Sequence, residues 1–177
     1  MSPQRVLDAA HLGDHIDRLY RAAWALSGTR EDAEDLVQET YARVLARPRL
    51  LRNDDDLGYL LRALRNTFIS QRRRRSPASA EAGPDELETL PDTRAPEPAD
   101  AVEARVVYGL IAQLPGEFRD ALVAVDVVGL SYQEASRALK VRQGTLTSRV
   151  FRARQRVARG LRADGIAPRD PIGPGDP

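Results

Sequence analysis

The sequence of 177 residues contains no cysteine and only two histidines. The lack of cysteine excludes disulfides, thiol catalysis and cysteine-ligated zinc, and two histidines do not make a histidine-rich metal centre. Ser131 and Ser148 have no histidine or lysine partner near them in the sequence, which argues against an enzyme such as a serine recombinase. We therefore predict a protein that is not an enzyme, with no catalytic residue, no metal and no cofactor.

Long hydrophobic runs are also missing. No apolar run approaches the length of a membrane span, and the N-terminus lacks the charged-then-apolar pattern of a signal sequence. These absences predict a cytoplasmic protein without membrane insertion. The formal net charge is only +1, so the total charge indicates no partner. Acidic and basic residues are nevertheless segregated along the sequence. The local charge of a surface, more than the total, determines whether it can bind nucleic acid.

A helix-turn-helix is predicted between residues 130 and 161. Ser131 stands three residues before Glu134, the pattern that caps a helix start, so a first helix is expected from Tyr132 to about Leu139. A tight corner over residues 140–142 then leads into a second helix from about Gln143. Apolar residues recur at helical spacing along one face of that second helix. They are Leu146, Val150, Ala153, Val157 and Leu161.

The opposite face of the second helix is basic. No carboxylate occurs between Arg137 and Arg162, a stretch rich in arginine. An acid-free face suits phosphate neutralisation, and an outward Phe151 beside Arg152 offers an apolar surface for a thymine methyl and a fork for guanine. The alternative is a solvated basic helix that carries one stray aromatic.

Two further helices in the first half carry polar faces. The segment REDAEDLVQETYARVLAR follows a Thr29 cap and places Asp35, Gln38 and Glu39 together, which on pattern alone is a solvated face with acids near the helix start. The segment LGYLLRALRNTFISQRRRR carries an aromatic, cations and an amide opposite its apolar stripe. Such a face suits single-stranded nucleic acid, unless its basic end only balances the helix dipole.

The chain is predicted to be all-α, with two small helical domains joined by a flexible acidic linker. The lead-in covers residues 1–13, the first domain 14–75, the linker 76–101, the second domain 102–163 and a disordered tail 164–177. Within these domains the predicted apolar stripes include Ile16 in the first helix and Leu45 in the second.

Two segments resemble one family. REDAEDLVQETYARVLAR with YLLRALRNTFISQRRR resembles region two of bacterial RNA polymerase sigma factors of the extracytoplasmic-function group, and LPGEFRDALVAVDVVGLSYQEASRALKVRQGTLTSRVFRARQRV resembles their region four. The resemblance implies an initiation factor that binds core RNA polymerase and promoter DNA. The sequence departs from the family's common pattern at Lys140, where the turn often has glycine, and at Thr147, where a basic residue is common.

The resemblance assigns roles to residues. Asp35, Gln38 and Glu39 would bind the clamp helices of the polymerase largest subunit, and the linker and region four would make further contacts with core polymerase. Region two would recognise and melt the minus-ten element, and the recognition helix of region four would read the minus-thirty-five element. The minus-ten candidates are Tyr59, Arg62, Arg65, Asn66 and Arg73, and the minus-thirty-five candidates are Arg142, Thr145, Thr147, Ser148, Arg149, Phe151 and Arg152.

Two points stay open at the level of sequence. An anti-sigma factor is a candidate partner, because family members are often held inactive by one. The alternative function is a stand-alone helix-turn-helix transcriptional regulator that uses the second domain alone. The acidic patch of Asp35, Gln38 and Glu39 discriminates between a sigma factor and a stand-alone regulator, since only a polymerase subunit needs it.

Overall fold

The computed structural model describes residues 5–6, 12–47, 50–51, 55–75 and 99–165. The first half forms α1 (Ile16–Ser27), α2 (Arg30–Ala46) and α3 (Asp56–Arg75), after a 3₁₀ turn at Gly13–His15. The strands Arg5–Val6 and Leu50–Leu51 pair in antiparallel fashion. Most of the predicted lead-in, linker and tail lies outside the described residues.

The second half forms α4 (Ala99–Ala112), α5 (Gly116–Leu122), α6 (Tyr132–Leu139) and α7 (Gln143–Ala163). α4 begins inside the stretch that the sequence analysis assigned to the linker. α5 continues directly into a π-helical turn, Val123–Val127, which the apolar periodicity did not predict. Such turns are rare and widen the helix locally.

The caps predicted at Thr29 and Ser131 are confirmed. Gly28 ends α1 in the left-handed conformation (φ 90°), and the Thr29 hydroxyl accepts a hydrogen bond of 3.2 Å from the Asp32 amide at the start of α2. Ser131 and Glu134 form the reciprocal capping box that starts α6. These local bonds satisfy backbone groups that helix ends would otherwise leave without partners.

The core joins both halves. Side chains that are fully buried come from α1, α2 and α3 on one side and from α7 and the π-helical turn on the other, and include Leu19, Leu36, Leu60, Val123 and Val150. α1 packs on α2, α3 and α4, whereas α3 also packs on α6. The two helical units therefore lie directly against each other.

Two residues depart from their predicted stripes. Ile16 is 47% exposed and Leu45 is 50% exposed, so the prediction that they belong to the buried stripes was wrong. Both lie in terminal turns of their helices, where few neighbours can cover them. Thr40 instead occupies a buried position on α2, and its hydroxyl donates to the Leu36 carbonyl at 2.7 Å, which satisfies the group inside the core.

Candidate nucleic-acid and polymerase interfaces

α6 and α7 form the helix-turn-helix, and their corner depends on a left-handed residue. Lys140 has φ 56° and ψ 44°, and its amide donates to the Ser136 carbonyl. The Val141 amide also donates to the Ser136 carbonyl, at 3.1 Å. Because these bonds close the last turn of α6, α7 leaves the corner in a fixed direction, with Leu146 and Val150 buried beneath it.

The outward face of α7 is open to solvent. Phe151 is 62% exposed, and Ser148 and Arg152 beside it are exposed as well. The hydroxyls of Thr147 and Ser148 donate to the carbonyls of Gln143 and Gly144, at 3.0 and 3.1 Å. Each hydroxyl oxygen keeps a lone pair that can accept a hydrogen bond, for example from a base amino group.

Several arginines of α7 are used inside the domain. Arg154 makes a bidentate pair with Asp126 of the π-helical turn, at 2.8 and 2.6 Å, and this hydrogen bonding raises the pKa of the Arg154 guanidinium. Arg149 donates to Glu117 of α5 at 2.8 Å. The guanidinium of Arg156 lies 5.0 Å from the centre of the Phe118 ring. These three arginines hold α7 against α5 and the turn that follows it.

The remaining cations of the face point outward. Arg142 and Arg152 are exposed, and neither forms an ion pair with any residue that the structure describes. Thr145 is exposed in the first turn of α7 beside them, and that turn contains no acid. Of the seven predicted residues, six therefore present open polar, basic or aromatic groups, while Arg149 is partly engaged with Glu117.

Sequence reasoning missed Glu117 and Asp126. Each lies more than twenty-five positions from its arginine partner, so no helical spacing relates the two. Asp126 did offer one signal, because it is a single carboxylate inside the apolar run from Val123 to Val128. A charge in such a run is expected to have a specific partner.

The candidate minus-ten face lies on α3. The Asp55 carboxylate caps this helix by accepting a hydrogen bond of 3.1 Å from the Gly58 amide. Asn66 and Arg73 are exposed, whereas Tyr59 and Arg62 are half-buried. Tyr59 packs in part against the core.

Arg65 differs from the other candidates on α3. Its side chain bonds to Asp120, a residue of α5 in the second helical unit. Asp120 is buried, at 9% exposure. Arg65 therefore has a partner inside the protein, which the sequence analysis did not predict.

The residues of the acidic patch on α2 differ in whether they have partners inside the protein. Asp35 and Gln38 are exposed. Glu39 instead accepts from Arg43 of its own helix, from Arg74 at 2.8 Å and from Gln71 at 2.5 Å, so it links α2 to the basic end of α3. The hydrogen bonds from Arg74 and then Gln71 lower the pKa of the Glu39 carboxyl. Asp32 and Arg75 form a second link between the same helices, at 2.9 Å.

Residues 12–77 match the family model of sigma-70 region 2, and residues 104–157 match that of sigma-70 region 4. The chain is 34% identical to the ECF RNA polymerase sigma factor EcfG of Rhodopseudomonas palustris over 91% of its own length and 87% of the relative's. The chain belongs to the extracytoplasmic-function (ECF) group of the sigma-70 family. This sigma factor is thus related to proteins that direct RNA polymerase to promoters through regions 2 and 4.

Other relatives agree. The sigma factor is 38% identical to the ECF sigma factor SigE of Mycolicibacterium smegmatis over 81% of its length, and the match spans only 57% of that relative. Its structure resembles the sigma factor RpoE of Bartonella quintana, solved in complex with the anti-sigma factor NepR. That match has a TM-score of 0.67 and 28% identity, and covers 88% of this chain and 96% of RpoE. CnrH, solved with the cytosolic domain of CnrY, shares the fold at a TM-score of 0.60 and 21% identity.

Across the part of the sigma factor that the structure describes, no helix has the length and apolar character needed to span a lipid bilayer. The same residues contain no group of three or more acidic or histidine side chains placed to bind a metal ion.

Proposed function

We propose that this sigma factor is a non-enzymatic initiation factor that binds core RNA polymerase and reads two promoter elements. α7 reads the minus-thirty-five element as duplex DNA. α3 recognises the minus-ten element and captures its unstacked bases, which favours open DNA. The observation that carries this proposal is the α7 face, where Phe151 is 62% exposed among open hydroxyls and cations.

Each group on α7 has a suitable target in the major groove. Arg152 can form a bidentate contact with guanine, and Phe151 can pack against a thymine methyl. Arg142 and the uncapped first turn of α7 can contact phosphate, which fixes position and carries no sequence information. Arg149 bonds to Glu117 at the edge of this face, so its main contribution is to hold the helix in place while its remaining donors face phosphate.

α3 offers a different chemistry. An aromatic ring at Tyr59, the amide of Asn66 and the cations Arg62 and Arg73 lie on one helix, which suits a single strand whose bases stack and whose phosphates are neutralised. Glu39 holds the basic end of α3 through Gln71 and Arg74. This link would keep the cations beyond residue 70 aligned with the strand.

Core polymerase would bind through the patch of Asp35, Gln38 and Glu39 on the clamp helices of the largest subunit, with the linker and region four adding contacts. Asp35 and Gln38 are the open members of the patch. An anti-sigma factor is proposed as a further partner, because relatives of the same fold were solved with the anti-sigma factor NepR and with the cytosolic domain of CnrY. No cofactor or catalytic step is part of this proposal, and the protein is proposed to act in the cytoplasm.

The proposal is tested by measuring promoter binding and promoter opening as separate steps. Run-off transcription with core polymerase from a genomic promoter library first identifies promoters. On such a promoter, Arg152→Ala should weaken closed-complex binding about tenfold, as expected for the loss of a bidentate base contact. Tyr59→Ala should leave duplex binding close to that of the native protein and reduce opening, measured by 2-aminopurine fluorescence in the minus-ten element. Equal effects of both variants on both steps would contradict the division of roles.

A further inference from the structure

The DNA-reading face of α7 depends on how far this helix is rotated about its own axis. At about 100° per residue, Ser148 and Phe151 point away from the buried Leu146. On a helix about 10–12 Å wide, a rotation of about 20° moves the tip of a side chain by about 2 Å. A shift of that size is enough to break a hydrogen bond. The rotation of α7 therefore determines which base contacts can form.

One flank of α7 is held by α5. Arg149 donates to Glu117 at 2.8 Å, and the guanidinium of Arg156 lies 5.0 Å from the centre of the Phe118 ring. Arg156 follows Arg149 by seven positions, or about two helical turns, so both arginines lie on the same side of α7. These contacts restrain the helix on that side.

The other flank is held by the π-helical turn. Arg154 donates from Nε and Nη2 to the two carboxylate oxygens of Asp126, at 2.8 and 2.6 Å. Arg154 lies about 140° around the helix from Arg149. A bidentate pair fixes the direction of a side chain as well as its distance. The contacts on the two flanks together oppose rotation of α7 in both directions.

The π-helical turn places Asp126 where it can make this pair. The hydrogen bond that defines the turn runs from the Val128 amide to the Val123 carbonyl, five residues back, at 2.9 Å. Val123 and Val128 are buried, whereas Asp126 between them is exposed. π-Helical turns are rare and occur frequently at functional sites. The turn therefore brings one carboxylate of an otherwise apolar run to Arg154 of α7.

The pair of Asp126 and Arg154 contributes little to the stability of the domain. Both side chains are partly open to solvent. Water screens an ion pair of this kind, so its removal should leave region 4 folded. The main consequence of its loss is expected in the rotation of α7, not in the amount of folded protein.

We propose that Asp126 is a positioning residue for the minus-thirty-five readout, which fixes the rotation of α7 through Arg154 and so sharpens the choice between bases. This role rests on the proposed function of α7. Asp126 acts through Arg154 and does not itself contact a base. Without the pair, α7 can turn, and Phe151 and Arg152 distinguish the correct base edges from incorrect ones less well.

The test measures base discrimination by holoenzyme that contains the full-length chain. One promoter fragment carries a minus-thirty-five element identified by run-off transcription, and a second carries the single base-pair change that most weakens binding of the native protein. The ratio of the two dissociation constants is the readout. Inactive protein lowers binding to both fragments equally, so a merely structural defect would leave this ratio unchanged.

Asp126→Asn and Arg154→Gln should each lower the discrimination ratio about fivefold. A fivefold loss is at the low end of what one bidentate base contact supplies. Glu103→Gln is the matched control, because it also converts an exposed carboxylate to an amide, on α4 away from this pair, and its ratio should equal that of the native protein. If one of the two variants fails to fold by circular dichroism, the other decides the question against Glu103→Gln.

The two variants also exclude an effect of overall charge. Asp126→Asn raises the net charge by one and Arg154→Gln lowers it by one, so a loss common to both has another cause. The double variant Asp126→Asn/Arg154→Gln should lose no more discrimination than either single variant, because the two changes remove one shared interaction. Losses that multiply in the double variant, or an unchanged ratio in the folded single variants, would overturn the proposal.

Hydrogen exchange of the free full-length chain separates this inference from the proposed function. The backbone amides of α7 should exchange about threefold faster in Asp126→Asn than in Glu103→Gln, measured by mass spectrometry. Equal exchange would overturn the claim that the pair holds α7. If the chain directs no transcription, the proposed function fails and the base-reading role of Asp126 fails with it, whereas the exchange rates still report whether the pair holds the helix.

Discussion

Replacement of Lys140 by glycine should stabilise the protein. Lys140 has φ 56° and ψ 44°, and is the only non-glycine residue with a positive φ in the described ranges. A residue with a Cβ pays about 1–2 kcal/mol in this conformation relative to glycine. The greater freedom of glycine in the unfolded chain offsets about 0.5–1 kcal/mol of the gain. We expect Lys140→Gly to raise the free energy of unfolding by about 0.5–1 kcal/mol.

Lys140→Ala is the matched control, because it removes the same charge and keeps the Cβ. Urea unfolding followed by circular dichroism should place the midpoint of Lys140→Gly about 0.5 M above that of Lys140→Ala, for a slope of about 1–3 kcal/mol per molar. The corner bonds to the Ser136 carbonyl are kept in both variants, since they use backbone amides. A Lys140→Gly midpoint at or below that of Lys140→Ala would refute the claim that the left-handed turn is strained.

Three further outcomes are expected. Phe151→Ala should leave stability within about 0.5 kcal/mol, because the ring is 62% exposed, yet reduce promoter binding by the holoenzyme in filter-binding assays. Gly160→Ala should give no gain in unfolding free energy, because a Cβ would lie 2.7 Å from Leu110, whereas Gly144→Ala on the same helix meets nothing within 4 Å and should gain up to about 1 kcal/mol in urea titrations. Ser131→Ala should lower stability by about 1 kcal/mol through loss of the cap, and an unchanged midpoint would contradict that role.

Local chemistry explains what the sequence could predict. Thr29 and Ser131 accept hydrogen bonds from backbone amides three residues further on, so their caps follow from spacing alone. The outward direction of Phe151 and Arg152 follows from the helical period once Leu146 and Val150 are assigned to the core.

Contacts between distant helices could not be predicted in this way. Asp126 interrupts an apolar run in the sequence, and it lies in the π-helical turn from which it pairs with Arg154. The pairing of Arg65 with Asp120 depends on how regions 2 and 4 pack, which no periodicity encodes. The positions of the proposed DNA-contact residues along their helices were thus accessible from sequence, whereas their partners inside the protein were not.

The central claim is that this protein directs core polymerase to promoters, and a transcription assay with a variant of the acidic patch tests it most directly. Run-off transcription from a genomic promoter library would compare the native protein with Asp35→Ala/Gln38→Ala, which leaves the Glu39 links to α3 in place. We predict specific transcripts with the native protein and their loss in the variant, whose helical content should be unchanged. If the native protein never directs core polymerase, yet shifts specific duplex DNA alone, the account is contradicted and a stand-alone regulator explains the chain better.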